Sequence, residues 1–293
     1  MREVSGEQSY EDGYVQLRDG LRMHYRDYPG SLELPPLLCL HGLTRNARDF
    51  AEFAERYSPR FRVIVAEFRG RGESDYDPSP QRYNPLTYAS DVIELMDHIG
   101  IEEAIFVGTS LGGLVTMAIA AVAPQRIHAA ILNDVGPEIE DVGLDRIMSY
   151  LGKDSRFRSW EDAAAAIQDR HRSAFPNHGS EDWMAMARRH CREREGEIQF
   201  DYDMAIAEPF KTSGPVPKID MWPLFQALAQ KPLLLVRGEI SLLLGAPAAE
   251  KMRQLAPRMR FVTVPATGHS PDLTEPDAVA AIDSFLDSLA AAG

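Results

Sequence analysis

Short apolar runs recur along this chain, and the stretches between them carry the three-to-four-residue spacing of amphipathic helices. That alternation constrains the fold more than any other feature. The runs read "PPLLCL", "FRVIVAEF", "EAIFVG", "IHAAILND", "KPLLLVRG" and "RMRFVTVP". Among the intervening stretches are "ARDFAEFAERYSP", "PLTYASDVIELMDHIG" closed by Gly100, and "LGGLVTMAIAAVAP" stopped by Pro124. Strands that are apolar throughout must be covered on both faces. The pattern therefore predicts a mainly parallel, doubly wound α/β sheet. "YVQLRDGLRMHYRDY" alternates polar and apolar residues around Asp19-Gly20, which predicts a hairpin with a tight primed turn ahead of the parallel strands. "PDAVAAIDSFLDSLAA" predicts a closing helix.

The rhythm breaks once. From Gly136 to Met221 no strand pattern is visible. The segment reads as helical, rich in Arg, Asp, Trp and Met, and punctuated by "FPNHGS" and "TSGPVPK". A helical insertion after the sixth strand predicts a cap or lid over the C-terminal strand edge, where open α/β sheets bind ligands. The expected organisation is a core of residues 1–135 and 222–293 with a helical cap at 136–221.

Three stretches carry chemistry. "FVGTSLGG" places Gly108, Ser110 and Gly112 between a strand and a helix. A nucleophile on a sharp strand-to-helix turn needs small residues on either side, and the turn aims the start of the helix at a developing negative charge. Ser110 is the candidate nucleophile. "LCLHGLTRN" turns sharply at His41-Gly42, leaving the N–H of Leu43 available for an oxyanion hole with Leu111 N–H as the second donor. His41 itself reads as a structural turn residue. "VPATGHSPDLTEP" follows the last strand, and its His269 is the candidate general base.

Composition excludes some classes. The 293 residues hold 31 Lys and Arg against 44 Asp and Glu, a net charge of −13 without any basic run, so nucleic acid is not an expected partner. The same balance argues against a highly anionic substrate. Cys39 and Cys191 do not make a disulfide framework. His171, His178, His190 and Cys191 fall in the cap region without metal-ligand spacing, so neither a metal nor a cofactor is expected. The first residues, "MREVSGEQSYEDGYV", lack the apolar core of a secretory signal, and no run of about 18 apolar residues is present for a membrane span. A cytoplasmic location is the default expectation. Oligomeric state is not readable.

Taken together, "LHGLTRN", "FRGRGESD", "GTSLGG", "LNDVGPEI" and "GHSPDLTEPDAV" resemble the motifs of α/β-hydrolase fold enzymes over nearly the whole chain. The likeness is to capped esterases, lactonases and C–C bond hydrolases. It implies a hydrolase with a Ser/His pair and no cofactor. In "FRGRGESD" Glu67 stands where such proteins usually carry Asp, a departure with little catalytic meaning. A second departure matters more. The loop "RGEISLLLG" carries Leu242 where the resemblance leads one to expect the acid of a triad. An alkyl group cannot orient the imidazole or stabilise the imidazolium.

Three readings stay open. Asp134, at the end of "IHAAILND", supplies the acid from another strand; or the acid is lost and a Ser–His dyad remains; or Glu239 serves, although its place directly after Gly238 points it away. The expected function is cleavage of an ester-like bond through an acyl-enzyme. The alternatives are a cofactor-free dioxygenase or C–C bond hydrolase using a His/Asp pair, and a ligand-binding or weakened member of the fold. Trp160, Phe175, Trp183, Met184, Met186, Phe200, Tyr202, Phe210 and Trp222 lie in or next to the cap. Those that face Ser110 are expected to line a pocket for a medium-sized, largely apolar small molecule.

Overall fold

A computed structural model of the protein describes residues 9–153, 155–212 and 220–291. Its sheet begins with β1 (Glu11–Gln16) and β2 (Arg22–Tyr28), an antiparallel hairpin. The connection is not the primed turn that Asp19-Gly20 predicts. Leu17 N donates to Leu21 O at 2.8 Å, and Gly20, with φ 91°, is the residue of this loop in the left-handed region. A type I turn followed by a left-handed glycine suits a three-residue loop.

β3 (Leu37–Leu40), β4 (Val63–Ala66), β5 (Ala104–Thr109) and β6 (Ile127–Asn133) then alternate with α1 (Ala51–Tyr57), α2 (Pro85–His98) and α3 (Leu111–Val122). Between β6 and the next sheet strand come α4 (Asp141–Tyr150), β7 (Arg156–Phe157), α5 (Trp160–His171), α6 (Ser180–His190), β8 (Cys191–Arg194), β9 (Glu197–Phe200) and α7 (Glu208–Thr212). The core resumes with α8 (Trp222–Leu228), β10 (Leu233–Gly238), α9 (Ala246–Leu255), β11 (Arg260–Val264) and α10 (Pro276–Ala290). The eight-stranded sheet runs β1-β2-β4-β3-β5-β6-β10-β11, parallel from β4 onward.

Strand residues alternate between two cores, as a period of two requires. Leu38 and Leu40 of β3, with Leu233 and Leu235 of β10, face the layer holding Val92 of α2, Val115 of α3 and Met252 of α9. Leu37 and Cys39 of β3, with Leu234 and Val236 of β10, face Phe53 of α1 and Phe285 of α10. Both faces are covered, which is why these strands carry no polar alternation. The chain leaves β3 for β4 on one side and returns to β5 on the other. The C-terminal end of β5 therefore lies where the strand order reverses, the usual place for a ligand crevice.

The segment between β6 and α8 is not wholly helical. β7, β9 and β8 form a small antiparallel sheet in that order, with β8 and β9 joined through Glu195 and Gly196, both at positive φ. These strands are two to four residues long and rich in Arg and Glu, so they show none of the apolar alternation that marks a strand in sequence. Most of the "TSGPVPK" break lies outside the described residues. Among the described residues no helix is long and apolar enough to cross a membrane.

Candidate active site

Ser110 sits at the turn between β5 and α3 with φ 52° and ψ −114°, a conformation that costs a residue with a Cβ about 1–3 kcal/mol. The surroundings impose it. Ser110 N donates to Asn133 O at 3.1 Å, and Gly113 N bonds back to Ser110 O at 2.9 Å. Gly112 is pressed against β3 so closely that a Cβ there would lie 2.0 Å from Leu40 O. Only glycine lets the helix start this near the sheet.

His269 follows β11, on a loop held by both the core and the inserted segment. Gly268 N donates to Ala174 O at 2.6 Å, and a Cβ on Gly268 would meet Ala174 Cα at 2.7 Å. The imidazole lies between two partners: Nε2 is 2.9 Å from Ser110 Oγ, and Nδ1 is 2.8 Å from Asp134 Oδ2. With Nδ1–H donating to the carboxylate, Nε2 is left to accept the serine proton.

Asp134 is fully buried and has φ 54°. Its carboxylate accepts from Gly238 N at 2.9 Å through Oδ1 and from Ser241 Oγ at 2.7 Å through Oδ2. Its own N–H donates to Val236 O at 2.8 Å. A buried carboxylate is tolerable when its oxygens are occupied in this way. Of the two acid candidates, Asp134 is the one brought to His269. Glu239 accepts instead from Ala266 N at 2.8 Å. Leu242 is 44% exposed and faces a cavity rather than Asp134; its neighbour Ser241 is the residue of that loop that reaches the carboxylate.

The turn after β3 comes up beside the nucleophile: a Cβ on Gly42 would stand 3.7 Å from Ser110 Cβ. Leu43 O accepts from Arg71 Nε at 2.9 Å, and Arg71, fully buried, also donates to Tyr88 Oη at 2.8 Å. Leu111 opens α3, so its N–H has no acceptor within the helix. These are the two expected oxyanion donors. His41 is buried and braces the same turn, with Nδ1 2.8 Å from Gly42 O and Nε2 accepting from Phe68 N at 3.2 Å. Burial, aided by the charge of Arg71, pushes its imidazole down to about 4, so it is neutral and structural. Glu67 is a bracing residue too, bonded to Ala47 N, Glu73 N and His24 Nδ1, each at 2.8 Å. Burial opposes its ionised form, but the bond and charge of His24 and the two backbone donors outweigh this and bring it to about 2.

Two cavities meet at His269. One holds Ser110 with Leu43, Arg45, Tyr150, Arg170, His171, His190, Phe200 and Tyr202; the other holds Arg146, Ile147, Ala174, Ile240, Leu242 and Leu243. Much of the lining of both cavities is apolar, and three arginines, Arg45, Arg146 and Arg170, stand within it. Of the aromatic and methionine residues in and beside the inserted segment, Phe200 and Tyr202 line the cavity with Ser110, while Phe175, Trp183 and Met186 are buried in packing. Arg45, Arg146 and Arg170 were not singled out in the sequence. They lie on three separate elements, and only the fold brings them to one place.

Residues 35–276 match the family model described as alpha/beta hydrolase fold. The chain belongs to the α/β-hydrolase fold family. It is 31% identical to the 3-hydroxybutyrate-oligomer hydrolase of Cupriavidus necator over 273 residues, 90% of this chain and 92% of that one. It is 29% identical to the 2-(acetamidomethylene)succinate hydrolase of Mesorhizobium japonicum, covering 87% and 88%. The crystal structure of an alpha/beta hydrolase from Novosphingobium aromaticivorans superposes with a TM-score of 0.92 at 48% identity, over 96% of this chain and 99% of that one. The protein is an enzyme of this family, a hydrolase.

Proposed function

We propose that the protein is a serine hydrolase that cleaves an ester bond of a small molecule through an acyl-enzyme. The observation that carries this reading is the relay from Asp134 through His269 to Ser110, with hydrogen bonds of 2.8 and 2.9 Å, ending at a cavity. Ser110 Oγ attacks the carbonyl carbon while its proton passes to His269 Nε2. The carbonyl oxygen takes up negative charge between the N–H groups of Leu43 and Leu111, donors fixed before the reaction starts. Collapse of this intermediate expels the alcohol, which leaves with the proton from Nε2. Water, deprotonated by the same nitrogen, then releases the acid and restores Ser110. Asp134 holds Nδ1–H throughout and stabilises the imidazolium.

The relative named for 3-hydroxybutyrate oligomers supports the ester assignment, since oligomers of a hydroxy acid are joined by ester bonds. The 2.9 Å contact between Ser110 and His269 favours hydrolysis over a dioxygenase reading, in which a His/Asp base needs no serine on Nε2. Residues 136–221 act in this reading as a lid that governs selectivity. In support, α4, α5 and α6 contribute Tyr150, Arg170, His171 and His190 to the cavity that holds Ser110.

A fluorophosphonate probe tests the reading. It is expected to label the protein at Ser110 and to leave Ser110→Ala unlabelled. Labelling that persists in Ser110→Ala contradicts it.

A further inference from the structure

We propose that the cavity beside Ser110 carries an anion subsite centred on Arg170, with Arg45 next to it, and that the substrate is an ester that also bears a free carboxylate. The ester half of this statement rests on the serine-hydrolase reading above; the subsite does not.

The first observation is a reversal of charge. The chain carries 44 acidic and 31 basic side chains, yet among the described residues no Asp or Glu lines either cavity at His269, and Arg45, Arg146 and Arg170 do. The second is what these guanidinium groups are bonded to. Arg45 Nε meets Asp49 at 2.5 Å, so its charge is shared. Arg146 donates to Ser173 Oγ at 2.5 Å and to the backbone oxygen of Arg170. Arg170 donates to Ser155 Oγ at 3.1 Å and meets no carboxylate among the described residues. Its guanidinium lies 4.4 Å from the ring centre of Phe200 and 5.4 Å from that of Tyr150. Two aromatic rings thus hold a planar fork of donors in place without neutralising it.

The neighbours register the same positive field. His171 is pushed down to about 3 by burial first and then by Arg45, Arg146 and Arg170. His190 is lowered by burial and by Arg45 among others. A field that keeps imidazoles neutral also draws in an anion, and a fork of parallel N–H donors fits a carboxylate best. Half-esters of dicarboxylic acids and oligomers of hydroxy acids are two substrate types with an ester and a carboxylate in one small molecule. In hydrolysis the carboxylate stays intact; it fixes the distance from Arg170 at which the ester carbonyl lies over Ser110.

The test compares two chromogenic esters of equal acyl length, the p-nitrophenyl half-ester of glutaric acid and p-nitrophenyl pentanoate. It is paired with calorimetric binding of glutarate to the wild-type protein and to Arg170 variants. The expected result is a kcat/KM at least about tenfold higher for the half-ester. That preference should be abolished in Arg170→Gln and be partly kept in Arg170→Lys, with glutarate bound by the wild type and not by Arg170→Gln. Cleavage of pentanoate with no preference for the half-ester and no glutarate binding overturns the subsite and leaves the hydrolase reading intact. Arg170-dependent glutarate binding without cleavage of either ester supports the subsite and removes the ester-hydrolase reading. A preference that survives Arg170→Gln unchanged overturns the assignment to Arg170.

Discussion

His269 Nδ1 stands 2.8 Å from Oδ2 of Asp134, a residue directly after β6, while the loop after β10 sends a serine rather than a carboxylate to that same oxygen. In the proposed relay the acid has moved along the sheet edge and is not lost. β6 and β10 are adjacent parallel strands, with Asn133 opposite Val236, so their C-terminal ends lie side by side. A carboxylate arriving from either can reach the histidine loop.

Leu242→Asp is therefore expected to give no more than about a twofold change in kcat/KM toward a p-nitrophenyl ester. The histidine already has its carboxylate, and the new side chain starts from a partly exposed position lining the cavity with Leu243 and Ile240. Steady-state kinetics on the purified variant checks this. A gain of orders of magnitude would mean that Asp134 does not serve His269.

Ser241 is a positioning residue in this account. It donates to Asp134 Oδ2 at 2.7 Å and accepts from Leu243 N and Leu244 N at 3.2 Å, tying the loop to the carboxylate. Loss of one hydrogen bond to a charged group is worth about 1.5–3 kcal/mol. Ser241→Ala is expected to lower kcat about tenfold with KM nearly unchanged, and Ser241→Thr to restore part of the loss. A change confined to KM would assign the hydroxyl to substrate instead.

Much of the site was legible because its residues carry local demands. Ser110 stands between glycines that close packing requires, and His269 follows a glycine that the inserted segment presses on. The paired cores were legible too, since strands covered on both faces must be apolar throughout. The partner of His269 was legible only as one of two candidates, Asp134 and Glu239, because Asp134 is an ordinary strand-end residue until β10 and the His269 loop are folded around it. The positive cavity was not legible: Arg45, Arg146 and Arg170 belong to a loop, to α4 and to α5, and no window of sequence contains all three. The strands β8 and β9 escaped notice because charged edge residues replace alternation there.

Gly112→Ala is expected to destabilise the fold on the order of 3 kcal/mol. The added methyl group would stand 2.0 Å from Leu40 O, a backbone atom of a central strand that cannot give way. Chemical denaturation read by circular dichroism gives the value. A stability equal to wild type would show that α3 is not held against β3 as described.

His41 is expected to lower stability in mild acid. His41 is held at about 4 in the folded chain, mainly by burial and also by the Arg71 charge, against about 6.5 when unfolded. Its contribution is complete above the unfolded value and is lost as pH falls through the folded one, since only the unfolded chain takes the proton in between. From pH 7 to pH 5 this one residue removes about 2 kcal/mol. His171, lowered to about 3, adds in the same direction. Unfolding at the two pH values measures the net of all titrating groups, including His24, which is raised and acts in the opposite direction. The His41 share is read from His41→Gln, which should flatten the slope whatever its effect at pH 7.

The most direct test is kcat for ester cleavage by Asp134→Asn beside wild type, measured under identical conditions. The substitution preserves size but replaces one carboxylate oxygen with an amide nitrogen, so the imidazole loses its negative partner and its fixed tautomer. The expected result is a fall in kcat on the order of 10⁴, with the protein still folded. Activity within a few-fold of wild type would contradict it, and would leave Asp134 as a residue that anchors the start of the inserted segment.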